Sequence, residues 1–221
     1  MILKLKKKGD IMKLSGSILD LTPKTKEAIQ KISASGLDYI HVDVMDGDFV
    51  PNVSFPFSEV SPIIVSNLKY DVHLMVQNPE IYIEQFSSIH PELITFHYEI
   101  GNTMKWISEI RSKGIKAGLS VKPDTDLEEI KSFLPFVDLV LVMSVEPGKG
   151  GQAFLEQTYS RIEELYHYRN QNHLHYQIEV DGGINNQNTP KLKKCDMIVV
   201  GSFITKGNYK EQIDKIREAM K

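Results

Sequence analysis

The chain has 221 residues, 26 Lys and Arg against 29 Asp and Glu for a formal charge of −3, and a 41% hydrophobic content. That composition supplies a full apolar core and excludes collagen-like, low-complexity and strongly disordered chains. With no basic excess, nucleic acid is not expected as a partner. The single cysteine, Cys195, excludes an intrachain disulfide and a multi-cysteine zinc knuckle, and a reducing, cytoplasmic setting is the default.

The chain opens with Lys4, Lys6, Lys7 and Lys8, but Gly9 and Asp10 follow where a signal peptide needs an apolar segment. Residues 1–11 therefore read as a solvated extension of one domain spanning 1–221, with Met12 as an alternative start. No stretch approaches the roughly 18 apolar residues of a membrane span. The best run, Val137–Met143, is broken by Asp138, so no membrane partner is expected.

From Met12 onward, short β-branched runs alternate with longer amphipathic stretches. Met12–Ser17 predicts a first strand and Lys24–Ser35 a helix, with Thr22 capping ahead of Pro23. Tyr39–Asp43 predicts a strand and Phe57–Asn67 a helix. Tyr70–Met75 is followed by a helix over Pro79–Ser88, capped by Asn78, and Leu93–His97 by one over Thr103–Lys113. Lys116–Val121 precedes a helix over Leu127–Leu134, and Val137–Met143 one over Leu155–Asn170. Gln177–Asp181 precedes Gln187–Lys193, and Met197–Val200 precedes a closing helix over Tyr209–Met220. Eight β-α units in one chain predict a (β/α)8 barrel with a parallel eight-stranded core. The open doubly wound sheet is disfavoured, because Gly16-Ser17-Ile18-Leu19-Asp20 after the first strand carries no GxGxxG.

Barrels of this kind build their sites at the C-terminal ends of the strands. The second strand ends His41-Val-Asp43-Val-Met45, the third Asp71-Val-His73-Leu-Met75, and the seventh Glu179-Val-Asp181-Gly182-Gly183. Strand side chains alternate faces, so two histidines and two aspartates converge on one mouth. Such a charged cluster is costly to bury without compensation, and a divalent cation supplies it. Imidazole with carboxylate suits zinc, iron(II), manganese or cobalt. Two carboxylates flanking a substrate also suit proton removal and return. Each residue alone has a plainer reading: His73 as a core histidine partnered by Asp71, Asp181 as a turn cap. His97, ending the fourth strand, reads equally as structural.

Three loops carry glycines where backbone N–H groups can approach a phosphate: Gly148, Gly150 and Gly151; Gly182 and Gly183; and Gly201 before Ser202. Met45, Met75 and Met143 stand at strand ends, where methionine is usually core filler.

The segments His41-Val-Asp-Val-Met-Asp-Gly-Asp-Phe-Val-Pro-Asn, Asp71-Val-His-Leu-Met-Val, Val145-Glu-Pro-Gly-Lys-Gly-Gly-Gln and Glu179-Val-Asp-Gly-Gly-Ile together resemble the ribulose-phosphate 3-epimerase family, from about Lys13 to the end. The resemblance implies a (β/α)8 barrel of the pentose phosphate pathway that interconverts D-ribulose 5-phosphate and D-xylulose 5-phosphate, works as a homo-oligomer and uses one divalent metal, usually Zn2+ or Fe2+. It implies His41, Asp43, His73 and Asp181 as metal ligands, and Asp43 and Asp181 as the two acid/base groups. It implies Ser17 and His73 as substrate contacts, and Gly182, Gly183, Gly201 and Ser202 as a phosphate cradle. Gly148, Gly150 and Gly151 match a mobile loop, and Met45, Met75 and Met143 a cap over the reacting carbon.

Three departures stand out. Lys149 replaces the family's usual aromatic, Asp20-Leu-Thr-Pro alters the first loop, and Lys194-Cys195 replaces small residues before the eighth strand. A hexulose 6-phosphate such as allulose 6-phosphate is the rival substrate, and a barrel that binds a sugar phosphate without turnover the rival outside catalysis. Related decarboxylases and aldol-type synthases rely on Asp-x-Lys-x-x-Asp, which Asp71-Val-His does not match.

Overall fold

A computed structural model of the chain describes residues 11–54 and 56–221. The basic run Lys4–Lys8 and most of the expected extension lie outside them. Eight strands, β1 (Lys13–Ser17), β2 (Tyr39–Met45), β3 (Tyr70–Met75), β4 (Leu93–His97), β5 (Lys116–Val121), β6 (Leu139–Met143), β7 (Gln177–Asp181) and β8 (Met197–Val200), close in chain order into a barrel. The neighbours are parallel throughout, β8 pairing back onto β1. The (β/α)8 expectation is met. β2 runs two residues beyond the expected Asp43, which carries Met45 into register with Met75.

The outer ring contains α1 (Lys26–Ala34), α2 (Phe57–Val60), α3 (Glu80–Ser87), α4 (Thr103–Ser112), α5 (Thr158–Gln171), α6 (Ser202–Thr205) and α7 (Tyr209–Ala219). α1 buries Ile29 and Ile32, spaced three apart on one face, each worth about 1.5–3 kcal/mol on burial. Its cap is Thr25, whose Oγ1 accepts from Ala28 N at 3.2 Å, not the expected Thr22. Thr25 has the extended backbone that aims a hydroxyl back at the first turn. At α3, Pro79 occupies the cap position, and Asn78 Oδ1 accepts from Glu80 N at 3.4 Å.

Three expected helices are shorter than the sequence pattern suggests. Phe57–Asn67 is one α-turn followed by a 3-10 turn over Ser61–Ile63, because Pro62 withholds the N–H needed to continue. Leu127–Leu134 gives only 3-10 turns at Leu127–Ile130 and Leu134–Phe136, the second containing Pro135. Gln187–Lys193 reduces to Thr189–Lys191 around Pro190. Segments this short do not repay helix nucleation by themselves.

The strands sort their side chains by parity. Val42, Val44, Val72, Leu74, Ile94, Phe96, Val140, Val142, Ile178 and Val180 face the helices in the main core cluster. The opposite face lines the barrel interior. Leu93, Leu139, Leu141, Met143 and Met197 pack there as a second apolar cluster. Other inward positions are polar and buried, among them Ser15, Ser17, His41, Asp43, Asp71, His73, Thr95, His97, Ser120 and Glu179. The apolar strand face thus makes the fold, and the polar face makes the site.

Candidate active site

Strand register brings the inward polar residues side by side. Asp43 pairs with His73, His41 with Asp71, Ser17 with His41, and Met143 with Asp181. At the C-terminal mouth one ligand atom each from His41, Asp43, His73 and Asp181 falls within 4.8 Å of the others. His41 Nε2 stands 3.3 Å from Asp43 Oδ1 and 4.0 Å from Asp181 Oδ2, and His73 Nδ1 stands 3.5 Å from Asp43 Oδ1.

Both facing nitrogens, His41 Nε2 and His73 Nδ1, are buried without a hydrogen-bond partner. A buried lone pair left unpaired is costly. Two of them, aimed at a space they share with two carboxylates, form a donor set that fits a divalent cation. The cluster could bind a metal ion, and its two-nitrogen, two-oxygen chemistry does not by itself select which.

The partners behind these side chains fix their aim. His41 Nδ1 lies 2.7 Å from Asp71 Oδ2. Asp71 therefore serves His41 and not His73, as the sequence reading had paired it, because the β2–β3 register sets it beside His41. His73 Nε2 instead meets His97 Nε2 at 3.0 Å, and His97 Nδ1 lies 3.0 Å from Glu99 Oε2. Ser17 Oγ donates to Asp43 Oδ2 at 2.7 Å. Glu179, Asp71 and His41 form a second, deeper group within 4.8 Å. Burial, and then the neighbouring Asp71, push the Glu179 carboxyl well above its ordinary range.

The two aspartates at the mouth are pushed apart. Burial opposes ionisation of Asp43, but with the facing His41 and His73 nitrogens protonated their positive charge outweighs it and holds the carboxyl well below the usual carboxylate range; a cation held by those nitrogens would supply the same charge. Burial, with the Asp43 charge adding to it, pushes Asp181 up to about 6. Burial likewise depresses His97, to about 4.

Above the cluster lies a cavity of about 320 Å³ lined by Ser17, Asp43, Asp181 and the three methionines Met45, Met75 and Met143. His41 and His73 do not line it; both are fully buried, behind the Asp43 and Asp181 carboxyls that do. The methionines are both cavity wall and core, since Met45 and Met75 pack with Val50, and Met143 with Leu139 and Leu141.

The glycine loops complete the walls: Gly148, Gly150, Gly151, Gly182, Gly183, Gly201 and Ser202 all line the cavity. Gly183 has φ +62° and sits so close to the loop after β6 that a Cβ would stand 2.6 Å from Phe154 N. Gly148, at φ +100°, lies against Val50, and its carbonyl accepts from Asn52 Nδ2 at 2.7 Å. That bond ties the loop after β2 to the loop after β6 across the mouth. Lys149 and Lys206 are exposed at the rim, with Asp20 against Gly150.

Sequence reasoning named Asp71 as a backing residue but gave it to His73, and it missed Glu179, Glu99 and Asn52. Glu179 carried a usable signal, since it stands two residues before Asp181 and so shares its face. The His97–Glu99 contact and the Asn52 tie carried none.

The fold and site define the chain as a (β/α)8 barrel with a His2Asp2 cluster at its C-terminal mouth, ringed by glycine loops. The family model of the ribulose-phosphate 3 epimerase family matches residues 13–205, and the chain belongs to that family. It is 38% identical over 218 residues to the ribulose-phosphate 3-epimerase of Chlamydia pneumoniae, covering 95% of each chain. It is 37% identical over 205 residues to that of Synechocystis sp., covering 87% of each. Among solved structures, the 3-keto-L-gulonate-6-phosphate decarboxylase of Vibrio cholerae superposes with a TM-score of 0.68 at 10% identity, covering 95% of this chain and 97% of that one. At that identity the likeness is one of fold.

Proposed function

We propose that the protein is a metal-dependent epimerase that interconverts D-ribulose 5-phosphate and D-xylulose 5-phosphate, inverting C3 by removing and returning one proton through an enediolate. The observation that carries this reading is the convergence, in a chain of this family, of four ligand atoms within 4.8 Å of one another, with His41 Nε2 and His73 Nδ1 both lacking a hydrogen-bond partner. His41, Asp43, His73 and Asp181 would hold the metal, Zn2+ or Fe2+ by donor type, with Mn2+ or Co2+ also accommodated. When bound, the cation supplies positive charge against the oxygens of the reacting ketose and keeps both carboxyls ready to ionise.

Asp43 and Asp181 act as the acid/base pair. Asp43 Oδ1 faces the two imidazoles, which leaves Oδ2 for the substrate proton, oriented by the Ser17 hydroxyl. Unlike proton affinities suit the two carboxyls to opposite roles, one ionised to accept a proton and one able to give it. Reversing direction exchanges the roles. Working from opposite faces, the pair inverts the centre without turning the intermediate over.

Met45, Met75 and Met143 form an apolar cap that keeps water from a reactive carbanion-like carbon. Backbone N–H groups at Gly182, Gly183, Gly201 and Ser202 form the phosphate cradle, and Gly148, Gly150 and Gly151 cover the substrate. The partner is a small ketose phosphate, and residues 1–221 work as one barrel domain.

The test is a coupled assay of metal-loaded protein on D-ribulose 5-phosphate, reading xylulose 5-phosphate, with allulose 6-phosphate in parallel. Preference for the pentulose supports the assignment. Preference for the hexulose moves the substrate and leaves the chemistry. Turnover of neither overturns the enzymatic reading.

A further inference from the structure

We infer that His97 and Glu99 form a hydrogen-bonded relay that fixes the tautomer of His73, making both of them positioning residues for the metal centre. The inference rests on the metal-binding reading above.

The proton positions follow from the contacts in order. Glu99 Oε1 already accepts the backbone N–H of Lys122 at 2.7 Å and the Thr125 hydroxyl. Its other oxygen, Oε2, meets His97 Nδ1 at 3.0 Å. A carboxylate only accepts, so His97 Nδ1 carries a hydrogen. In a neutral imidazole that leaves His97 Nε2 as a lone pair. His97 Nε2 faces His73 Nε2 at 3.0 Å, and two nitrogens at that distance need one hydrogen between them. It sits on His73 Nε2. His73 Nδ1 is then the bare lone pair, and it is the partnerless atom that points at Asp43 Oδ1.

The two imidazoles of the cluster are thus held by routes of unequal length. His41 receives its carboxylate directly from Asp71 at 2.7 Å. His73 receives one through a second imidazole, from a residue on the 3-10 turn after β4 that is anchored to the end of β5. His97 does not line the cavity, so it acts on the site only through His73. Its ring is covered by Phe49, 4.7 Å away, from the same loop that Asn52 ties across the mouth.

Hydrogen-bonded partners behind metal-ligating histidines are commonly worth 10–100-fold in metal affinity. The experiment compares wild type, His97→Leu, His97→Gln and Glu99→Gln for Zn2+ dissociation constant by competition with a chromophoric chelator, alongside kcat and circular dichroism. Leu fills the space but accepts nothing from His73. Gln can accept from His73 and donate to Glu99. The expected result is a roughly 10–100-fold weaker Zn2+ constant for His97→Leu, substantial rescue in His97→Gln, and an intermediate loss in Glu99→Gln. Equal weakening in the Leu and Gln variants, or wild-type affinity in His97→Leu, overturns the relay. Should the Leu variant fail to fold, long-range 1H–15N spectra of the zinc-loaded wild type decide. Hydrogens on His73 Nε2 and His97 Nδ1 support the relay, and a hydrogen on His73 Nδ1 overturns it. If wild type binds no divalent metal at all, the metal centre itself falls and takes the relay's role with it.

Discussion

Asp43 and Asp181 reach the same floor of the cavity from strands separated by β1 and β8, with His41 Nε2 between them, 3.3 Å from one and 4.0 Å from the other. That placement gives two carboxyls facing one cavity with unequal proton affinities.

Replacing either aspartate by asparagine keeps the shape and removes one proton carrier. Asp43→Asn and Asp181→Asn are each expected to lower kcat by at least about 10²–10⁴, the usual worth of a positioned acid or base, with the fold intact by circular dichroism. In deuterated water each variant should still exchange the C3 hydrogen of the one epimer its remaining base faces. Near-wild-type epimerisation by either variant would sink the two-base mechanism.

Removing a divalent metal held by the His41, Asp43, His73 and Asp181 cluster would leave two carboxyls facing a cavity without their counter-charge. Activity should disappear on exhaustive chelation and return with divalent metal. The thermal midpoint should fall as well, since ligand at 100 times its dissociation constant contributes about 2.7 kcal/mol to the folded state. Full activity in rigorously metal-free protein would refute the centre.

Gly183 holds φ +62° with no room for a side chain beside Phe154 N. Gly183→Ala should therefore displace the loop after β7 and weaken the backbone contact to phosphate proposed for it. A rise in KM on the order of tenfold is expected, equivalent to about 1.4 kcal/mol, near the low end for one hydrogen bond to a charged group. Steady-state kinetics check it, and an unchanged KM would remove Gly183 from the cradle.

Glu99 gives a stability signature in acid. Burial opposes its ionisation, but the hydrogen bonds from His97, Thr125 and the Lys122 backbone hold it down at about 2 against an ordinary 4.5. A depressed carboxyl stabilises the fold above its unfolded value and loses that contribution as the pH falls toward the folded value. The stability advantage of wild type over Glu99→Gln should therefore shrink by about 1–2 kcal/mol between pH 5 and pH 3, allowing for partial exposure of the side chain. Urea unfolding at the two pH values measures it. A gap that does not change with pH would mean that Glu99 is not held in this way.

The sequence by itself determined the alternation of strands and helices, the closed barrel and the inward face that carries His41, Asp43, His73 and Asp181. These follow from local periodicity: a period of two puts every second side chain on one face, so spacing along the chain is enough to read them. Tertiary structure alone decided how those residues are partnered. Asp71 went to His41 because of the β2–β3 register. His97 became the partner of His73 because the β3–β4 register sets His73 beside Thr95, two residues before His97 on the same face, and the two Nε2 atoms meet at 3.0 Å. Asn52 reached Gly148 only once the loops met over the mouth. Register and closure bring together residues far apart in sequence, and no pattern within a single segment records which of them will touch.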